Sequence, residues 1–208
     1  VYEAPNTTLR KSRKHVLSQL PRCKKIAQIV FARYQTCVER DKKCDDNIGE
    51  SAIRDAILEF QAPYYDEGWN EIYIHMNDSP YTIKDYNDQL MCEHDNPHHN
   101  NTVNVHTLQV VEEAAKYIPS KEDFTIENGV LGILLSMAAA LHDVGKKFTK
   151  QFKDSRGNKT DIAHYYGHHN VSAYFSIGYE ALEKVGLDMR EKMLVIWLVN
   201  NHMEPFFN

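Results

Sequence analysis

Histidine, aspartate and lysine are crowded into one part of this chain. Eight of its 11 histidines fall between His94 and His169, and His202 follows. The centre of the pattern is Ala140-Leu141-His142-Asp143-Val144-Gly145-Lys146. An apolar helix that ends in His142 and Asp143, with Gly145 available to stop it, puts an imidazole and a carboxylate together at the edge of a core. Nitrogen and oxygen donors of this kind suit Mn, Fe, Co, Ni, Zn or Mg, and no thiolate is needed. Lys146 comes one turn later, where its ammonium could neutralise a phosphate oxygen. A His-Asp pair at a helix end is, by itself, more often a cap or a hydrogen-bonding pair. The context is stronger: His106, His168 and His202 each stand near the end of another expected helix. His99, His164 and His169 are read as surface or supporting residues, and His94 and His98 as linker residues.

The elements that must carry these side chains differ between the two halves. From residue 102 onward the pattern is helical. Thr102 can cap a helix with Val105, Leu108, Val111, Ala115 and Ile118 at helical spacing. Gly129 to Leu141 is apolar nearly all round, as a helix in the middle of a bundle is. Asn170 to Val185 forms a third helix, and Asp188 with Glu191 gives a capping-box start for Arg190 to Asn200. Before residue 77, strand-like pieces alternate with helical ones. Val1 to Ala4, Ile26 to Phe31 and Asn70 to His75 read as strands; Thr8 to Leu20, Gln35 to Lys43 and Ser51 to Phe60 read as helices. Such alternation points to an α/β unit with a parallel sheet. The expected division is therefore an α/β part over 1–76, a linker over 77–101, and an all-α bundle over 102–208.

Composition narrows the functional classes. Of 208 residues, 42% are apolar and 25% charged, as in ordinary globular chains. The net charge of −5 argues against a broadly cationic nucleic-acid-coating surface, although basic residues gather between residues 9 and 43. No run of about 18 uninterrupted apolar residues and no export signal is found, so no membrane association and a cytoplasmic location are expected. Cys23, Cys37, Cys44 and Cys92 form no C-x-x-C pair and are read as free thiols.

The run Asn96-Pro97-His98-His99, then Val105-His106-Thr107, Leu141 to Lys146, Tyr166-Gly167-His168 and Asn201-His202-Met203, resembles the HD superfamily of metal-dependent phosphohydrolases. The HD domains attached to CCA-adding tRNA nucleotidyltransferases are the nearest likeness, over roughly residues 96 to 208. The resemblance implies metal ligation by His106, His142, Asp143, His168 and His202, with Asp143 and Lys146 in catalysis. The family's last aspartate has no counterpart before Asn208, and the domain is expected to continue past that residue.

The first part is similar to the C-terminal half of P-loop kinases of the polynucleotide-kinase-like branch. That similarity implies a lid arginine at Arg40 and a further nucleotide contact at Arg13. A solvated helix face explains the basic run Arg10 to Lys14 equally well. No G-x-x-x-x-G-K-[ST] loop occurs in the 208 residues, so ATP is expected to act only in an intact parent kinase domain. Two functions follow. One is a metal-dependent phosphohydrolase acting on nucleotides or nucleic-acid phosphate ends. The other is a non-catalytic module that binds nucleotide or RNA and regulates or positions the kinase part.

Overall fold

The computed structural model describes residues 8–97, 101–118 and 126–204, residues 126–128 by their backbone alone. The expected strand over Val1 to Ala4 lies outside them. The first part contains α1 (Arg10–Gln19), β1 (Ile26–Phe31), α2 (Tyr34–Asp41), α3 (Glu50–Leu58) and β2 (Glu71–Met76). β1 and β2 run parallel, in register from Ile26 opposite Glu71 to Phe31 opposite Met76. A parallel pair needs a crossover, which α2 and α3 supply. Period-two burial in β1 turns Ala27 and Phe31 inward and leaves Val30 exposed.

The second part contains α5 (Val103–Ala115), α6 (Ile126–Leu141), α7 (Lys146–Thr149), α8 (His168–Gly178), α9 (Glu180–Lys184) and α10 (Met189–Asn201). Thr102 caps α5 and Asp188 caps α10 through a reciprocal box with Glu191, as the sequence predicts. The buried face of α5 is rotated from the expected one. Val103, Thr107 and Ala114 are buried, whereas Val105 and Leu108 are exposed. α6 is likewise not covered all round, since Leu131 and Ile133 are exposed. The stretch Gly129–Thr149 has the length and mean hydropathy (1.3) to cross a membrane, but 61% of its most apolar window is buried in the protein, as in a core helix.

Three expectations need correction. The helical part is not all-α: β3 (Gln151–Lys153) and β4 (Lys159–His164) form an antiparallel hairpin between α7 and α8. The helix expected over Asn170 to Val185 breaks at Gly178 and Tyr179. Tyr81 pairs there with the backbone of Gly178 and Glu180, and a Cβ on Gly178 would lie 2.2 Å from the Phe31 ring. The segment 77–101 also carries α4 (Ile83–Leu90), started by a Thr82/Asp85 capping box, and buries Tyr81, Leu90 and His94.

One hydrophobic core runs through both parts. It joins Ala27, Phe31, Ile57, Ala62 and Ile72 to Val144, Val171, Phe175 and Ile196. Polar contacts reinforce the junction: Tyr174 Oη donates to the Ala32 carbonyl at 2.6 Å, and Asn170 Nδ2 to the Leu58 carbonyl at 2.7 Å. Asn200 Oδ1 accepts the Ala62 N–H at 2.8 Å. The α/β part thus braces α8 and α10, two of the helices that carry histidines.

Candidate metal centre

The turn after α6 carries His142 and Asp143 into the interior, and Asp143 is only 1% exposed. It bends tightly against α8. A Cβ on Gly145 would lie 2.5 Å from the His168 carbonyl and 2.7 Å from the Ser172 nitrogen. Glycine at 145 therefore lets the aspartate turn and the start of α8 approach closely, rather than merely ending a helix.

Four imidazoles surround the buried carboxylate. Asp143 Oδ2 lies 3.1 Å from His142 Nε2 and 3.5 Å from His106 Nε2, and Oδ1 lies 3.4 Å from His168 Nε2. His202 Nε2 is 3.1 Å from His168 Nε2. Two donor groups result, His106, His142 and Asp143, and Asp143, His168 and His202, with the ligand atoms in each within 4.8 Å of one another. Asp143 belongs to both.

The local backbone fixes which nitrogen faces the centre. Nδ1 of His142, His168 and His202 lies 2.7, 2.9 and 2.7 Å from the carbonyls of Ala139, Tyr165 and Val199, each three residues earlier. A carbonyl only accepts, so Nδ1 carries the proton and Nε2 presents a lone pair inward. His168 and His202 then point two lone pairs at each other across 3.1 Å. That arrangement calls for a cation between them. A proton is disfavoured, because burial pushes the His168 imidazole down to about 3 and His202 down to about 4. Burial alone would raise the Asp143 carboxyl, but His142, Lys146 and His168 outweigh it and hold it well below the usual carboxylate range. Neither oxygen of Asp143 receives an aligned hydrogen bond, although the Lys146 ammonium lies 2.8 Å from Oδ2. A buried anion ringed by inward lone pairs fits a bound metal ion, and no cysteine belongs to either donor group.

Lys146 does not open onto the surface as a direct phosphate contact. Its ammonium is buried, 2.8 Å from Asp143 Oδ2 and 3.2 Å from His94 Nε2, and lies 5.6 Å from the centre of the Tyr165 ring. His94, read from sequence as a linker residue, is 2% exposed. Its Nδ1 pairs with the Asn101 carbonyl, which leaves Nε2 to accept from Lys146. Burial lowers its pKa and keeps it neutral. The Tyr165 hydroxyl donates back to the His94 carbonyl. Thr82 with Asp85 marks the start of α4 in the sequence, but nothing local marks His94. Its burial depends on partners 52 and 71 positions away.

His106, His142, Asp143, His168 and His202 thus stand around one centre, with Lys146 beside them. The two expected nucleotide contacts stand apart from it. Arg13 is buried in a bidentate pair with Glu67, at 2.8 and 2.7 Å, and also donates to the Thr8 carbonyl. It fastens α1 to the turn before β2. Arg40 donates to the Asn77 carbonyl at 2.9 Å on the α/β part. His164 stacks on Tyr166 at 5.3 Å, and His169 lies 6.4 Å from the His202 ring. His98 and His99 lie outside the described residues. Comparison with protein families, curated proteins and solved structures gives no match for this chain.

Proposed function

We propose that the protein is a metal-dependent phosphohydrolase acting on nucleotides or nucleic-acid phosphate ends, in which Asp143 would hold one divalent ion together with His106 and His142 and a second together with His168 and His202. The observation that carries this reading is the buried Asp143 carboxylate, lying between two histidine pairs whose ring nitrogens face it. When bound, the ions lower the pKa of a water molecule and draw charge from the phosphoryl oxygens. The protein's own contribution is placement. His106 and His142 hold one side of the carboxylate, and His168 and His202 hold the other. Each group supplies three protein donors, which leaves coordination positions for water and substrate. The Nδ1 bonds to backbone carbonyls keep three of the rings from turning away.

Lys146 acts through Asp143. Its ammonium offsets part of the carboxylate charge in a dry pocket, where such charges interact strongly, and His94 holds it there. The histidine-rich donor set favours Mn, Fe, Co, Ni or Zn over Mg, which prefers an all-oxygen shell. The α/β part receives no ATP-dependent role in this reading. Its two parallel strands support an α/β unit and nothing finer, and Arg13 is paired with Glu67.

Hydrolysis of a panel of 2′,3′-cyclic, 3′- and 5′-phosphate nucleotides and oligonucleotides with added Mn, Ni, Co or Mg tests the proposal. Turnover by the wild type should fall at least about a thousandfold in Asp143→Ala, because the shared ligand is lost. Equal turnover in the two proteins, or none in metal-loaded wild type, would overturn it.

A further inference from the structure

Beside the proposed centre lies a cleft of about 440 Å³ that the metal chemistry leaves unused. It is lined by Arg10, Lys11 and Lys14 from the first turns of α1 and by His169 and Asn201, neighbours in sequence of the metal-capable His168 and His202. The His169 ring lies 5.9 Å from the His168 ring and 6.4 Å from that of His202, so the cleft begins one ring away from the second donor group.

Asn170 and Asn200 also line the cleft, and their side chains already have partners. Asn200 Nδ2 donates to Asn170 Oδ1 at 2.8 Å, and both side chains are tied to the backbone of the α/β part. The charge is cationic in a chain whose net charge is −5. Three cations line the cleft against one acid, Glu204. Lys14 also lies 3.6 Å from Asp66, and Arg10 Nε lies 3.7 Å from Glu67 Oε1. Glu67 is already committed to Arg13 at both oxygens, and Arg10 Nε is buried without a hydrogen bond among the described residues. This lining therefore keeps a surplus of positive charge, with Lys11 and Lys14 exposed at an opening large enough for a nucleotide.

We infer that this cleft binds a second phosphate of the substrate, one nucleotide away from the phosphate at the metal centre. The inference rests on the phosphohydrolase reading for the identity of the reacting group. It narrows the substrate to nucleotides or strand ends carrying at least two phosphates. Arg10, Lys11 and Lys14 pair with the non-reacting phosphate, and His169 and Asn201 line the path between the two positions. Binding energy gained there positions the reacting phosphate.

The test compares wild type with Lys11→Ala/Lys14→Ala, two exposed positions whose loss leaves the core untouched. The probes are adenosine 3′-monophosphate, adenosine 3′,5′-bisphosphate and a 3′-phosphorylated oligonucleotide. In wild type, kcat/KM should favour the doubly phosphorylated probes by about tenfold or more, and the double variant should lose about tenfold of that preference through KM. A response to the bisphosphate assigns a nucleotide substrate, and one confined to the oligonucleotide assigns a strand end. An unchanged preference in the variant would overturn the inference. If wild type hydrolyses none of the probes, the phosphohydrolase reading fails by itself, and the cleft is then judged by fluorescence anisotropy of the labelled bisphosphate and oligonucleotide. Binding weakened tenfold in the variant upholds the cleft, and equal or absent binding sinks it.

Discussion

Asp143 and Lys146 are both buried, yet the chain gives them unequal company. Asp143 faces four imidazoles, whereas the Lys146 ammonium rests between that carboxylate and the neutral acceptor His94. Removing the acceptor leaves a buried ammonium donor unmatched, which costs about 1–3 kcal/mol. His94→Leu should therefore lower unfolding free energy by that amount in urea titrations, while His94→Gln, which keeps an acceptor, should lose less. Equal losses would mean that packing rather than the hydrogen bond sets the role of His94. The metal-capable residues were legible because histidine is uncommon and falls near helix ends. His94 was not, because a histidine in a polar stretch looks the same whether it is solvated or sealed beneath Tyr165 and Lys146.

The elements place these groups through close backbone approach. Gly145 lets the turn after α6 press against the first turn of α8, and so sets the distance between Asp143 and His168. Gly145→Ala puts a methyl group against backbone atoms that cannot rotate aside, and α8 must shift. Isothermal titration should show metal affinity lowered about tenfold to a hundredfold, the range expected when ligand-orienting contacts are disturbed. Unchanged affinity would separate the α8 position from the centre. Most element boundaries followed from periodicity and caps: β1 spans the expected Ile26 to Phe31, and Thr102 and Asp188 cap as read. The misses share one cause. α5 is apolar on two faces, so hydrophobicity alone did not choose between Val103 and Val105. The break between α8 and α9 is imposed by Phe31 and Tyr81, distant residues that no local window contains.

At the scale of the whole molecule, one core joins the α/β part to the helices, and Trp69 and Trp197 report on the two parts. Metal binding to the folded form alone should raise the unfolding midpoint seen at both tryptophans together. The metal-free protein should also be acid-sensitive. His168 and His202 are held near 3 and 4, against an ordinary value of 6.5, so the unfolded chain binds protons that the folded one refuses. Stability is therefore full above about pH 6.5 and falls as pH drops toward 4, by about 1–2 kcal/mol for each imidazole at pH 5. Thermal melts across this range check the sign, and a metal-free protein equally stable at pH 7 and pH 5 would contradict it.

The central claim is that Asp143 is shared by two ions, and metal content tests it most directly. Wild type and Asp143→Asn are loaded with Mn or Ni, desalted and assayed for bound metal per chain. The two donor groups predict about two ions retained by wild type and less than one by the variant, whose amide keeps the shape but loses the charge. Equal retention by the two proteins, or none by wild type, would contradict the account.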